Sequence, residues 1–393
     1  MLPHQKLTNW LETRWVAPAY AGGLLSFLAL FFFGAATNTM AGWLYVISGT
    51  SFALLGLAAI LPPRSLSALQ IHRYPIEPVS AGYQLTVELE IENPTLQPKT
   101  LLQVRDQLSP EFKASITTES TLSNEMTTTV IETLAAQSTH RWVYYLPTQN
   151  RGIYNWQNVE LRTAAPLGLF WCRRSWSAPV NVIVYPVVLP LSYCPLIDNI
   201  GEDISPQVQD RRHQQMATEG LTRALRPYRY GDPTRLIHWR TSARYGELRI
   251  RELEISTAGQ EVVIALDSGG AWQPEIFEQA VTAAASLYFY AARAQLNVQL
   301  WTAATGLVRG NRVVLSSLAG VMAGEEIAHD LPQQPLIWLT QNQGNLTHLP
   351  SGSRWVRWPD LLKPHNTTSG LGVKGLEINL EQPLELQLQS QLV

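Results

Sequence analysis

From Trp15 to Pro63 the chain carries not one charged residue. A bilayer core takes about 20 apolar residues per helix, so this stretch holds two spans, about 16–36 and 41–61, with Thr37, Asn38 and Thr39 as the turn between them. A secretory signal is the rival reading. Its apolar region would run roughly 7 to 15 residues and would not be followed at once by a second span. Lys6 and Arg14 precede the first span, Arg64 and Arg73 follow the second, and the turn has no charge. The positive-inside rule then predicts an integral two-pass protein with both termini and all of its soluble part cytoplasmic, and the bilayer as its first partner. The sequons at Asn345 and Asn366 lose their meaning on that side.

The chain has 393 residues, enough for two or three further domains. A net charge of -2 gives no global attraction to nucleic acid, so none is expected as a partner. Two cysteines, Cys172 and Cys194, build neither a disulfide framework nor a zinc site and read as small buried hydrophobes. After the tail and hairpin (1–66), residues 84–92 alternate strictly, with Leu85, Val87, Leu89 and Ile91 on one face and Thr86, Glu88, Glu90 and Glu92 on the other. That is a half-buried antiparallel strand. Similar runs near 101–104, 126–132, 141–146, 153–161 and 182–185, split by turn residues, predict a β-sandwich over 67–194. Residues 195–218, polar and Gln-rich, read as a linker.

Val262–Leu266 is a continuous apolar run ending in Asp267, then Gly-Gly, a helical pattern from Glu275 to Gln295 and a strand at Val298–Thr302. This is a βαβ unit with a parallel sheet. A helix-like stretch at Ser316–Asp330 and a strand at Leu336–Leu339 add another step, and Leu376, Ile378, Leu380, Leu384, Leu386 and Leu388 read as extended. Residues 257–393 are thus predicted as a short Rossmann-like α/β domain, whose ligand position, beyond the carboxyl ends of the strands, falls at Asp267.

Between the two lies a segment, 219–256, with eight of the chain's 29 Lys and Arg residues, all eight Arg: GLTRALRPYRYGDPTRLIHWRTSARYGELRIRELE in its core. Arg is a planar fork suited to bidentate contacts, where Lys is a flexible point charge. Gly231-Asp232-Pro233 reads as a turn, and ARYGELRIRELE as a hairpin turning at Tyr245-Gly246. Glu247, Glu252 and Glu254 offset part of the charge, which predicts an Arg and carboxylate network over Trp239 and Tyr228 at the joint between domains. An exposed docking or anion site is the alternative. His238, Ser242 and Asp232 could form a catalytic triad only with a nucleophile elbow and an oxyanion motif, and neither is in the sequence. There is no Walker loop either.

Leu225, Arg226, Tyr228, Gly231, Asp232, Arg235, Ile237, His238, Trp239, Ser242, Ala243, Arg244, Gly246 and Leu248 follow the pattern LRxYxxGDxxRxIxWxxSAR and its continuation. With Arg151, Gly152, Tyr154 and the PLGLF of Pro166–Phe170, the chain resembles the domain of unknown function 58 family. The resemblance implies a membrane-anchored α+β multidomain protein: hairpin, Ig-like sandwich, then a von Willebrand factor A-like domain. The metal motif of that domain, D-x-S-x-S, is here Asp267, Gly269 and Ala271, two of three oxygen donors gone, so no cofactor is expected and Mg2+ has only Asp267 as a candidate ligand.

The functional expectation is a non-enzymatic, membrane-tethered cytoplasmic interaction or assembly module, whose binding or interdomain residues are Arg226, Tyr228, Gly231, Asp232, Arg235, His238, Trp239, Ser242 and Arg244. The resemblance implies a MoxR-type AAA+ ATPase as partner. The alternatives are a divalent-metal-dependent ligand binder and a protein acting on an anionic substrate through its arginines.

Overall fold

A computed structural model describes residues 3–116, 126–198, 222–228, 237–253, 261–342, 344, 346, 349–350, 352–360 and 374–392. The chain divides into two compact units, Met1–Tyr185 and Pro186–Val393.

The first unit begins with helix α1 (Pro3–Arg14), a two-residue strand β1 (Ala17–Pro18) and helices α2 (Tyr20–Thr39) and α3 (Gly42–Leu66). α2 and α3 are long and apolar enough to cross a membrane. Both differ from the expected spans of 16–36 and 41–61. α2 starts late because Ala17 and Pro18 pair with Trp171 and Phe170 instead of joining the helix. The expected turn at Thr37, Asn38 and Thr39 stays helical: Thr37 and Thr39 donate their hydroxyls to the carbonyls of Gly34 and Ala35, which hides their polarity, and the chain reverses at Met40 (φ 53°). α3 runs on through Pro62 and Pro63 because its last turn is packed, with Leu66 fully buried in the core below. Between the helices, Ser48 donates to the carbonyl of Ala29 at 3.0 Å.

The rest of the unit is strands β2 (Gln70–Arg73), β3 (Val79–Ser80), β4 (Gln84–Asn93), β5 (Lys99–Gln107), β6 (Thr128–Leu134), β7 (Ser138–Pro147), β8 (Gly152–Thr163) and β9 (Phe170–Tyr185), with helix α4 (Pro110–Ile116) after β5. One sheet runs β1-β9-β8-β5-β6, with β3 on β9; the other runs β2-β4-β7. The alternation over 84–92 appears as predicted, Leu85, Val87, Leu89 and Ile91 buried. These pack in one core with Leu102, Val104, Leu161, Val182 and Val184 of the other sheet, so the two sheets form a sandwich. At its centre Arg73 on β2 reaches Asp106 on β5 at 2.8 Å, and the Tyr144 hydroxyl on β7 donates to the same carboxylate at 2.5 Å. Burial, then the Asp106 charge and hydrogen bond, hold the Tyr144 hydroxyl well above the usual phenol range.

The sandwich ends at Tyr185, earlier than the expected residue 194. Leu191, Cys194, Leu196 and Ile197 are apolar and pack in the core of the second unit, and Pro195–Asp198, expected as linker, is a short helix α5. Residues 199–218 of that linker lie outside the described residues. Burial pushes both thiols up, Cys194 to about 12, as inert core residues require.

The second unit continues with β10 (Thr222–Pro227), α6 (Trp239–Tyr245), β11 (Arg249–Leu253), β12 (Glu261–Leu266), α7 (Pro274–Arg293), β13 (Asn297–Thr302), β14 (Gly306–Val308), α8 (Asn311–Gly320), β15 (Leu336–Thr340), β16 (Arg354–Arg357), β17 (Gly375–Glu377) and α9 (Leu384–Leu388). β10 and β11 form their own two-stranded ribbon. The main sheet runs β14-β13-β12-β15-β16-β17, parallel except for β14 at its edge. Its central strands, β12 over Val262–Leu266 and β15 over Leu336–Leu339, are apolar on both faces, as a covered parallel sheet requires. α7 starts at Pro274 and buries Phe277, Ala280, Val281, Ala284, Leu287 and Ala291, spaced by three and four.

Two expectations fail here. The helix expected at Ser316–Asp330 stops at Gly320, because the residues after it leave the helix to bond the ends of β12 and β13: Gly324 donates to the Ser268 carbonyl and Ala328 to that of Ala303. Leu384–Leu388, expected as extended, is helical, with Leu388 buried and Leu386 exposed.

Candidate functional site

The Arg-rich segment folds into a small β-α-β device. Arg226 of β10 stands opposite Ile250 of β11, and Pro227 opposite Arg249; beyond the strand, Tyr228 donates its N–H to the Leu248 carbonyl. Ile237 bridges Ile250, and the helix α6 starts at once. His238 caps it: the ring Nδ1 accepts from the Thr241 N–H at 3.2 Å and lies 2.7 Å from the Thr241 hydroxyl. Gly246 ends it at φ 73°, a left-handed position that favours glycine, and donates to the Ser242 carbonyl. Ser242 then ties helix to strand. Its hydroxyl donates to the His238 carbonyl and accepts from the Arg249 N–H at 2.9 Å.

The hairpin expected at Tyr245-Gly246 is therefore a helix end, and β11 pairs back with β10. Gly231, Asp232 and Arg235 lie outside the described residues. Of the triad residues, His238 spends its ring on Thr241 and Ser242 its hydroxyl on backbone, both in service of α6. The expectation that Trp239 packs under an Arg network is also overturned. Trp239 is 66% exposed and Tyr245 61%, and Arg240 and Arg244 beside them are exposed as well. Arg249 has a neighbouring carboxylate, Glu247 at 2.7 Å, and lies over the Tyr245 ring at 4.5 Å. What the segment presents is a short helix, capped at both ends, that carries Trp, Tyr and Arg side chains exposed to solvent.

The second place to examine is the carboxyl end of the parallel sheet. The chain moves from β12 to β13 and β14 on one side, then returns to β15 on the other, so the topological switch lies between β12 and β15. Asp267 and Thr340 end these two strands, and the Thr340 hydroxyl donates to the Asp267 carboxylate at 2.7 Å. Thr340 escaped the sequence reading, although the parallel between VVIALD and LIWLT marks it. Trp272 donates its ring N–H to the Asp267 carbonyl, and Ser268 accepts from the Ala303 N–H at 2.9 Å. Gly269 and Ala271 offer no side-chain oxygen, and the Ser268 hydroxyl is buried and engaged. Among the described residues no three His, Cys, Asp or Glu side chains gather to hold a metal. A hard divalent cation wants six or more oxygens, and this donor set does not suit one.

The description "Protein of unknown function DUF58" matches residues 224–309, from β10 through β14. No curated protein matches. Solved structures share small parts of the chain: the CARDB domain of a Pyrococcus furiosus protein in complex with di-metal ions (10% identity, 29% of this chain and 93% of that one, TM-score 0.19), a β-glucosidase from Listeria innocua in complex with gluconolactone (14%, 28% and 16%, 0.15) and a putative late embryogenesis abundant protein (13%, 35% and 84%, 0.20). Scores of that size assign neither fold nor function. The capped Arg-rich device and the first strands of the parallel sheet are the matched part, and that match supports the DUF58 family for this chain.

Proposed function

We propose that this protein is a membrane-tethered, cytoplasmic interaction module that docks another protein through the exposed face of α6. One observation carries the reading: Trp239 and Tyr245 stand in solvent beside Arg240 and Arg244 on a helix held at both ends. Trp, Tyr and Arg dominate the binding energy of protein interfaces, and a preformed helix pays little to order them. Two long apolar helices with positive charge on both flanks and none between support the tether and its orientation. The sheet order with one antiparallel edge strand supports a von Willebrand factor A-like reading of the second unit. The family resemblance points to a MoxR-type AAA+ ATPase as the partner. His238 and Ser242 spend their polar groups on capping and fastening α6, which supports a reading of this module as a docking device and not a catalyst.

Crosslinking and affinity capture from membranes test this, with the full chain and a Trp239→Ala, Arg244→Ala double variant compared. Both substituted side chains are exposed, so the variant should keep its melting behaviour and lose the captured partner. A variant that folds and still captures every protein the parent captures ends the docking role of α6.

A further inference from the structure

The sandwich is joined to the apolar hairpin at both of its ends. On the entry side the Glu12 carboxylate of α1, itself buried, accepts from Arg162 of β8 and Arg173 of β9. Arg174 donates to the carbonyls of Thr13 and Trp15, satisfying the open end of α1. β1 pairs with β9, and the Ala19 N–H donates to the Leu169 carbonyl at 2.9 Å. The same carbonyl lies against Gly22, where a Cβ would fall 2.0 Å from the oxygen. On the exit side Leu66 and Leu69 are in the sandwich core, and Trp176 donates its ring N–H to the Leu69 carbonyl at 2.9 Å. Domain and hairpin are one packed body.

The register then sets a direction. β1 is antiparallel to β9, so as the chain climbs from Ala17 through Pro18 into α2, β9 read backwards climbs beside it from Trp171 through Phe170 to Leu169. The turn that joins β8 to β9 is carried up with it. Gly22 is the third residue of α2, so Leu169 reaches about 3 Å past the helix start at 1.5 Å per residue. At the tip of that turn Leu167 is 40% exposed, and on the entry segment Trp15, just before β1, and Tyr20, the first residue of α2, are exposed too. Tyr and Trp favour the membrane–water interface, and an exposed Leu on a turn aimed along the helix has the bilayer's outer apolar layer in its path.

We propose that the β8–β9 turn is a second membrane contact: Leu167 enters the interfacial layer of the bilayer beside the first turn of α2, with Trp15 and Tyr20 in the headgroup belt. The inference rests on the membrane reading above. It makes the sandwich a fixed foot on the lipid surface and not a domain swinging on a leash.

Spin labels on single cysteines in the full-length chain, reconstituted in phosphatidylcholine and phosphatidylglycerol vesicles, test it. The positions are Leu167→Cys, Phe31→Cys within α2, and Tyr83→Cys, which is exposed at the other end of β4. Cys172 and Cys194 are buried, and the unsubstituted chain serves as the labelling blank. Collision with oxygen and with a water-soluble nickel chelate reads the depth. The label at Leu167 should show a chelate-to-oxygen ratio several-fold below that at Tyr83, with the label at Phe31 deeper still. If Leu167 matches Tyr83 while Phe31 is deep, the contact is overturned and the membrane reading stands. If Phe31 is as accessible to the chelate as Tyr83, the membrane reading fails and the contact falls with it.

Discussion

Thr340 donates a 2.7 Å hydrogen bond to the carboxylate of Asp267, joining the ends of β15 and β12 at the point where the sheet changes direction. Both residues are buried, so the bond is structural glue at the position where related sheets bind ligands. Thr340→Val should therefore destabilise the protein by about 1–3 kcal/mol, the cost of taking a partner from a buried polar group. Thermal melts should record the loss, and adding Mg2+ or Mn2+ should shift neither the parent nor the variant.

Gly22 and Gly23 are neighbours in α2 with opposite demands. A methyl group at Gly22 would strike the Leu169 carbonyl, whereas one at Gly23 would meet nothing within 4 Å. Gly22→Ala should cost about 1–3 kcal/mol, as overpacking does, and loosen the sandwich from the hairpin. Gly23→Ala should be neutral or mildly stabilising. Limited proteolysis between residues 66 and 80, with unfolding in detergent, distinguishes the two.

Arg73, Asp106 and Tyr144 join three strands of the sandwich out of reach of water. Asp106→Ala leaves the guanidinium buried without its counter-charge and should cost about 3–5 kcal/mol. Tyr144 adds a dependence on pH. Its folded pKa is raised above the unfolded value of 10.0, so its stabilising effect is whole below pH 10.0 and drains away as pH rises toward the folded pKa. Tyr144→Phe should lower stability near neutrality through the lost hydrogen bond, and the gap to the parent should narrow above pH 10.0 in denaturant titrations.

Ser242→Ala and Trp239→Ala should part company. Ser242 satisfies the Arg249 N–H and holds α6 to β11, so its loss should cost about 1–3 kcal/mol of stability. Trp239 is exposed, so its loss should leave melting within about 0.5 kcal/mol and show only in capture of the partner.

What the sequence disclosed follows the reach of each interaction. The period of two in β4 and the apolar runs of β12 and β15 are local patterns, and they stand in the structure where the sequence puts them; the two apolar helices stand as well, with their ends and turn displaced. α1 was illegible because its anchor, Glu12 to Arg162, joins positions 150 apart. Thr37 and Thr39 misled because their hydroxyls bond within the helix they were expected to break. In the Arg-rich segment Gly246 was a real signal read for the wrong motif: a left-handed glycine closes a helix as readily as it turns a hairpin. The mixture of arginines and glutamates predicts an ion-pair network over Trp239, although a large apolar residue among arginines suits an interface equally well.

The clasp of Glu12 by Arg162 and Arg173 also imposes an order in time. During synthesis α2 and α3 leave the ribosome well before β8 and β9 exist, so on the proposed membrane reading the hairpin enters the bilayer without the domain that later grips both its ends. Membrane insertion and docking are then separate events, and a chain truncated before Arg162 should insert yet keep α1 unclasped.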